Sequence, residues 1–337
     1  MNFKVLIDCF DSSYWESCAS NFKDYNIYQT WPYQQIRADN ASSKLSRFVV
    51  LSDDNEPVMM GQIRIKSLLN FKIGYIQMGP VFQNRKKIIE ELHEAVIILR
   101  QSLLKKLRLN VIRINLNLWD DQKELALPFQ LAGFVEAKYF KKNTTFIVSL
   151  EPTVEEILKK IDGGNRRLIR KAEKLGLEIE ISHSEEHFPQ LHEMYLEAKQ
   201  RKGFTGVDSL EIWNTQKNLS VKEKMELIAL KYNNEIITMI ATSHLGTTAI
   251  PLLYANSRTS LELQVSNYLF WLDYLSAKDK GMKYYDLGGY DEIKNPKGFL
   301  FKRRMGGVAK QFLLPLDYYK NSLVKLIWLV LSKKYYS

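Results

Sequence analysis

The chain has 337 residues, a formal net charge of +10, and 45% hydrophobic and 26% charged residues, which argues against a disordered or fibrous chain and for two globular domains. Its two cysteines, Cys9 and Cys18, lie in one helix-like stretch without a ligand cluster, so neither a disulfide framework nor a metal site is expected, and a reducing, cytoplasmic setting follows. The positive charge favours an anionic partner such as phosphate, nucleic acid or a membrane face.

Residues 1–8 read as a first strand, and they lack the long apolar run and cleavage site of a secretory signal, so the protein is expected to stay inside the cell. Strand patterns at 46–52, 58–65, 74–78 and 111–116 mix with helix patterns at 86–106 and 122–131, an alternation of the α/β or α+β kind. A last strand at 145–150 closes the first half. Pro152 then breaks the chain and Thr153 is placed to cap a helix at 154–161, so the domain boundary is expected at 150/151.

The second half repeats the plan. Helices are expected near 166–175 and 186–199, strands at 225–231, 235–243 and 247–253, and a helix at 261–280. The strand 283–287 stops at Gly288-Gly289, a short basic helix at 298–305 carries Lys302, Arg303 and Arg304, and Gly306-Gly307 opens a final strand. Both halves end on a helix, a glycine and a strand, which suggests a duplicated unit. The expected domains are 1–150 and 151–312, with 313–337 packing back on the first. Within that tail, 323–331 is apolar but too short to span a bilayer, so it is a core helix or a membrane-surface helix, with Lys333, Lys334, Tyr335 and Tyr336 suited to anionic headgroups.

The sequence contains no Gly-x-x-x-x-Gly-Lys-Ser/Thr, Gly-x-Ser-x-Gly or Gly-x-Gly-x-x-Gly motif, and its five histidines show no zinc-hydrolase spacing. That favours a transferase that positions its substrates. From Gly163 to Gly176, Arg166, Arg170 and Lys174 recur at helical spacing after Asn165, a candidate cap. Like charges so placed repel one another, and either an anion relieves them or solvent does. Arg201-Lys202 ends another helix, where cations also suit the helix dipole.

Taken in order, Asn165-Arg-Arg-Leu-Ile-Arg-Lys-Ala-Glu-Lys-Leu-Gly, Arg201-Lys-Gly-Phe, Tyr254-Ala-Asn-Ser, Asn267-Tyr-Leu-Phe-Trp, Tyr284-Tyr-Asp-Leu-Gly-Gly and Phe301-Lys-Arg-Arg-Met-Gly-Gly resemble the Fem family of peptidoglycan bridge aminoacyltransferases. Tyr28-Gln-Thr-Trp-Pro-Tyr-Gln-Gln-Ile-Arg37 resembles that family's opening motif. The resemblance covers nearly the whole chain. It implies an α/β (α+β) fold of two tandem GNAT-like acyltransferase domains, each a mixed sheet flanked by helices. It implies that Lys302 assists acyl transfer, that Arg37 (arginine where a lysine is expected) and Arg201 hold a diphosphate, and that Tyr254, Tyr285 and Phe301 line the pocket. Arg166, Arg170 and Lys174 become candidate contacts to nucleic acid.

The implied reaction transfers an aminoacyl group from aminoacyl-tRNA to an amine of a nucleotide- or lipid-linked peptidoglycan precursor. No bound cofactor is expected, and the protein would work in the cytoplasm, including at the inner membrane face. No heptad pattern runs from 182 to 231, so the long helical arm of many Fem enzymes is expected to be missing. Neither half shows the acetyltransferase pyrophosphate loop Arg/Gln-x-x-Gly-x-Gly/Ala, which weighs against coenzyme A. The rival readings are an acyl-CoA-dependent N-acyltransferase acting on an amino sugar of a surface polysaccharide, and a non-catalytic nucleic-acid or precursor-binding module.

Overall fold

A computed structural model describes residues 2–68, 71–84, 92–140, 143–203 and 206–336. The chain divides into two compact units, Met1–Asn143 with Gln311–Ser337, and Thr144–Lys310.

In chain order, the first unit begins with β1 (Lys4–Ile7), α1 (Ser12–Ala19) and α2 (Trp31–Asn40). The strands β2 (Lys44–Leu51), β3 (Pro57–Leu68) and β4 (Phe71–Gln77) follow, then α3 (Leu92–Lys106), β5 (Val111–Asn115), α4 (Leu127–Leu131) and β6 (Val135–Glu136). The first residues of the helix expected at 86–106 lie outside the described residues. Leu92, Ala95, Val96, Leu99 and Leu103 recur at helical spacing on α3 and bury against Phe48, Val50, Met59, Ile63, Ile76, Ile112 and Ile114 of the sheet. On the start of α2, the 28–37 motif shows its structural purpose. Gln62 of β3 donates its amide to the carbonyls of Gln29 and Thr30 at 2.9 and 2.8 Å, and the Arg47 guanidinium stacks 3.6 Å from the Trp31 ring centroid.

The second unit runs β7 (Thr144–Ser149), α5 (Val154–Lys160), α6 (Gly163–Ala172), β8 (Glu178–Ser182), α7 (Phe188–Lys202), α8 (Ser209–Asn218), β9 (Glu226–Tyr232), β10 (Glu235–Leu245) and β11 (Thr248–Asn256). It continues through α9 (Arg258–Leu263), α10 (Ser266–Asp279), β12 (Tyr284–Gly289), α11 (Pro296–Arg304) and β13 (Val308–Gln311). The single helix expected at 261–280 is two helices, because Gln264 takes a left-handed φ of 62° between them. The chain then returns to the first unit with β14 (Leu316–Tyr319) and α12 (Ser322–Tyr336).

The sheets run β1-β2-β3-β4-β5-β14-β6 and β8-β9-β10-β11-β12-β7-β13. Position by position they follow one plan: an antiparallel meander, one parallel neighbour (β4 with β5, β11 with β12), then an antiparallel strand (β14 beside β5, β7 beside β12) and a last edge strand. The chain therefore folds as two tandem mixed α/β units of one plan. The sixth place in each sheet is filled by a strand from beyond its own run, β14 in the first and β7 in the second.

That exchange corrects the boundary expected at 150/151. The strand expected to close the first half pairs with β12 (Ser149↔Tyr284, Val148↔Tyr285), so the division falls at 143/144, and the second division falls at 310/311 rather than 312/313. β14 is locked to β5 by a buried ion pair, in which Arg113 Nε and Nη2 donate to the two Asp317 oxygens at 2.7 Å each. Tyr319 and Trp328 donate to the same carboxylate, tying α12 to the strand before it.

Candidate active site

β11 and β12 pair at only two positions, Thr248↔Tyr284 and Ala249↔Tyr285, whereas β4 and β5 pair at five. Beyond Ala249, β11 runs on beside β10 to Asn256, and β12 runs on beside β7 to Gly289. The two parallel strands therefore part and leave a wedge between them. Pro251 has no N–H to offer on the β11 side, and the β7–β12 ladder shifts register between Asp286 and Gly289 on the other.

The paired glycines follow from packing around this wedge. Gly288 has a left-handed φ of 80°, and a Cβ there would lie 3.5 Å from Lys302 Nζ. A Cβ on Gly307 would come within 2.9 Å of both the Lys302 carbonyl oxygen and Phe146 Cβ, so only glycine lets α11 pass so close to the sheet. Asn295 caps α11, with its Oδ1 accepting from the Gly298 N–H at 3.0 Å, and Pro296 opens the helix.

Lys302 is thereby brought to the end of β12, where its ammonium donates to the Gly289 carbonyl at 2.5 Å. Burial lowers its pKa to about 8, with the Asp286 carboxylate opposing the fall. Burial raises Asp286 above the usual carboxylate range, opposed by hydrogen bonds from the Thr145 hydroxyl and, at 2.8 Å, the Gly288 N–H. Lysine has three N–H donors, so two remain for a reacting oxygen.

An aromatic ladder leads from this lysine across to β11. Phe301 lies edge-on to Phe270 at 5.1 Å between centroids, and Phe270 lies edge-on to Tyr254 at 4.9 Å. Tyr254 accepts from the Asn256 side-chain amide, whose oxygen takes the hydroxyls of Thr238 and Ser260 at 2.8 and 2.7 Å. Arg201, exposed near the end of α7, donates to the Asn256 carbonyl at 3.2 Å. Lys302, Phe301, Tyr254 and Arg201 thus belong to one continuous chain of contacts.

The other expected site residues lie elsewhere. Tyr285 is fully buried beneath α10, with its ring 4.6 Å from Tyr274 and its hydroxyl donating to Asp273. It is a core residue and not part of a pocket wall. Arg37 is half-buried on α2 of the first unit. Arg166 is not a free cation, since its guanidinium donates to the carbonyls of Lys159 and Ile161 at the end of α5. Arg170 is exposed on α6, but Lys174 is in the turn past that helix, so the expected basic row is broken. The cap of α6 is Asp162, while Asn165 is buried within the helix. Phe204 of the Arg201-Lys-Gly-Phe motif lies outside the described residues.

Sequence reasoning missed Asp286 as the charge beside Lys302, Asn256 as the hub between Tyr254 and Arg201, and a polar cluster under α10. There, Glu226, His244 and Asp273 each place one donor atom within 4.8 Å of the others. Lys280 already supplies Glu226 with a positive charge, and Ser276 donates to it. Burial raises Asp273 to about 7 and lowers His244 to about 4, so both are held toward their neutral forms.

Residues 163–303 match the family model described as acetyltransferase (GNAT) domain. Among solved structures, the chain is similar to FemX, with a TM-score of 0.81 and 16% identity over 97% of this chain and 99% of that one. It is also similar to L-PGS from Bacillus licheniformis, with a TM-score of 0.56 and 14% identity over 96% of each chain. A search of curated proteins found no match. The GNAT acetyltransferase match takes in both strands of the wedge and Lys302, and the fold is FemX-like along nearly the whole chain, which together support an acyltransferase.

Proposed function

We propose that the chain forms an amide by transferring an aminoacyl group from aminoacyl-tRNA to an amine of a nucleotide- or lipid-linked peptidoglycan precursor, in the cytoplasm and at the inner face of the membrane. The observation that carries this reading is the placement of Lys302, a half-buried cation with two spare N–H groups at the end of a parted strand pair. The acceptor amine nitrogen attacks the ester carbonyl, the C–N bond forms, and the ester C–O bond breaks. The proton lost by the amine ends on the departing ribose hydroxyl. Lys302 stabilises the oxyanion that develops between these steps, while the wedge holds amine and ester in reacting geometry. Arg201 is assigned to the diphosphate of the precursor, where a guanidinium fork suits paired phosphate oxygens. Tyr254 and Phe301 are assigned to the walls of the acyl site. Arg170 and Lys174 are assigned to the tRNA phosphates. The donor is a substrate, and no resident cofactor takes part.

The test is label transfer. The protein is incubated with charged tRNA or labelled acetyl-CoA and with candidate amine acceptors, including a muropeptide precursor and an amino sugar. Transfer from charged tRNA to the muropeptide supports the reading. Label from the thioester alone overturns the donor and points to the acyl-CoA reaction. If neither donor reacts and Lys302→Ala leaves precursor affinity unchanged, a binding module is the better description.

A further inference from the structure

The apolar residues of α12 fall on two faces, and only one is used by the fold. Val324 and Trp328 bury against Val111, Phe71, Ile73 and Tyr319, and the Trp328 indole donates to Asp317. On the other face Leu323, Leu326, Ile327 and Val330 are 66, 63, 39 and 68% exposed. Spacings of three and four residues put these four in a single stripe. Lone exposed leucines are ordinary, but a continuous stripe on one helix marks a surface that is covered in use.

The charge around the stripe identifies what covers it. Lys320, Lys325 and Lys333 are exposed on and just before the helix. At the same end of the sheet, Lys44, Lys72, Lys106 and Arg108 line a cavity of about 300 Å³ whose lining contains no carboxylate. Lys72 adjoins Phe71 in β4, so strand alternation turns these cavity cations to the face of the sheet opposite α12. Pairing α12 with a second copy would bring two chains of net charge +10 together, whereas an anionic surface attracts Lys320, Lys325 and Lys333 beside the stripe. No described helix is long and apolar enough to cross a membrane, and one face of α12 is already committed to the sheet, so the helix lies along a surface instead of entering it end-on.

We propose that the exposed stripe of α12 docks on an anionic lipid surface, with its leucines and valine among the acyl chains near the headgroups and its lysines at the phosphates. This inference is independent of the donor and acceptor assigned above.

The test uses the full-length chain in cosedimentation with vesicles of phosphatidylcholine alone or mixed with phosphatidylglycerol. Binding to the anionic vesicles should be at least about tenfold tighter than to neutral ones and should weaken with salt. The triple variant Leu323→Ser/Leu326→Ser/Val330→Ser should lose about tenfold or more of that binding, with an unchanged unfolding midpoint because all three side chains face solvent. Leu131→Ser, another exposed leucine, should bind like the parent. Equal binding by the triple variant and the parent overturns the proposal, as does a parent that binds neither vesicle. A dimer in sedimentation velocity that depends on the stripe, without vesicle binding, overturns it in favour of a second copy.

Discussion

Replacing Lys302 by methionine and by arginine separates a catalytic cation from a catalytic base. A pKa of about 8 leaves roughly 90% of the side chain charged at pH 7 and about 10% at pH 9. If the ammonium stabilises an oxyanion, Lys302→Met should cost about 10²- to 10³-fold in kcat, or ~3–4 kcal/mol. Lys302→Arg keeps its charge throughout this range because a guanidinium titrates above about 12. Dividing the parent's single-turnover rate by that of Lys302→Arg removes the titration of the acceptor amine. The ratio should therefore fall about tenfold from pH 7 to pH 9, with its midpoint near the lysine's own pKa. A ratio that rises over this range would show that the neutral amine is the active form and refute the oxyanion role. A Lys302→Met rate within about threefold of the parent would remove Lys302 from the chemistry altogether.

Arg170→Ala should weaken tRNA binding and reduce the slope of log affinity against log salt by about one, whereas Arg166→Ala should leave that slope alone and lower stability, because its guanidinium closes the end of α5; binding across a salt series checks both. Asp317→Ala strands Arg113, which is only 3% exposed, and should cost about 3–5 kcal/mol in denaturant unfolding, with proteolysis of the chain after residue 311 as a second readout. Asp273 holds its proton up to about 7 when folded, against 3.8 for a free side chain. Folding stability is therefore lost as pH rises through that interval, and Asp273→Asn, which mimics the protonated acid, should stabilise the protein more at pH 8 than at pH 4, as read from unfolding midpoints.

Much of the candidate site is written in local sequence. Gly288-Gly289, Asn295-Pro296, Phe301-Lys302 and Gly306-Gly307 each report a constraint that acts within a few residues: a positive φ, a helix cap, a cation on a short helix, a close backbone approach. The alternation of strands and helices likewise reveals a mixed α/β chain in two similar halves, because burial on one face repeats every two or every three to four residues. Other features are decided by contacts between distant residues. Residues 144–149 have the same strand pattern whether they pair with their own half or with β12, so the exchanged sixth strand is invisible to periodicity. Tyr285 reads as a pocket residue until Asp273 and Tyr274 of α10 close over it. Arg166 looks like part of a basic row until it meets the carbonyls at the end of α5. Asp286 and Lys302 are sixteen residues apart, and the lysine's lowered pKa exists only once folding has removed water from around both. The sequence by itself determined which groups can carry charge, turn sharply or enter a core. Only the tertiary structure decided which of them meet, since desolvation and pairing depend on neighbours that the chain brings together after it folds.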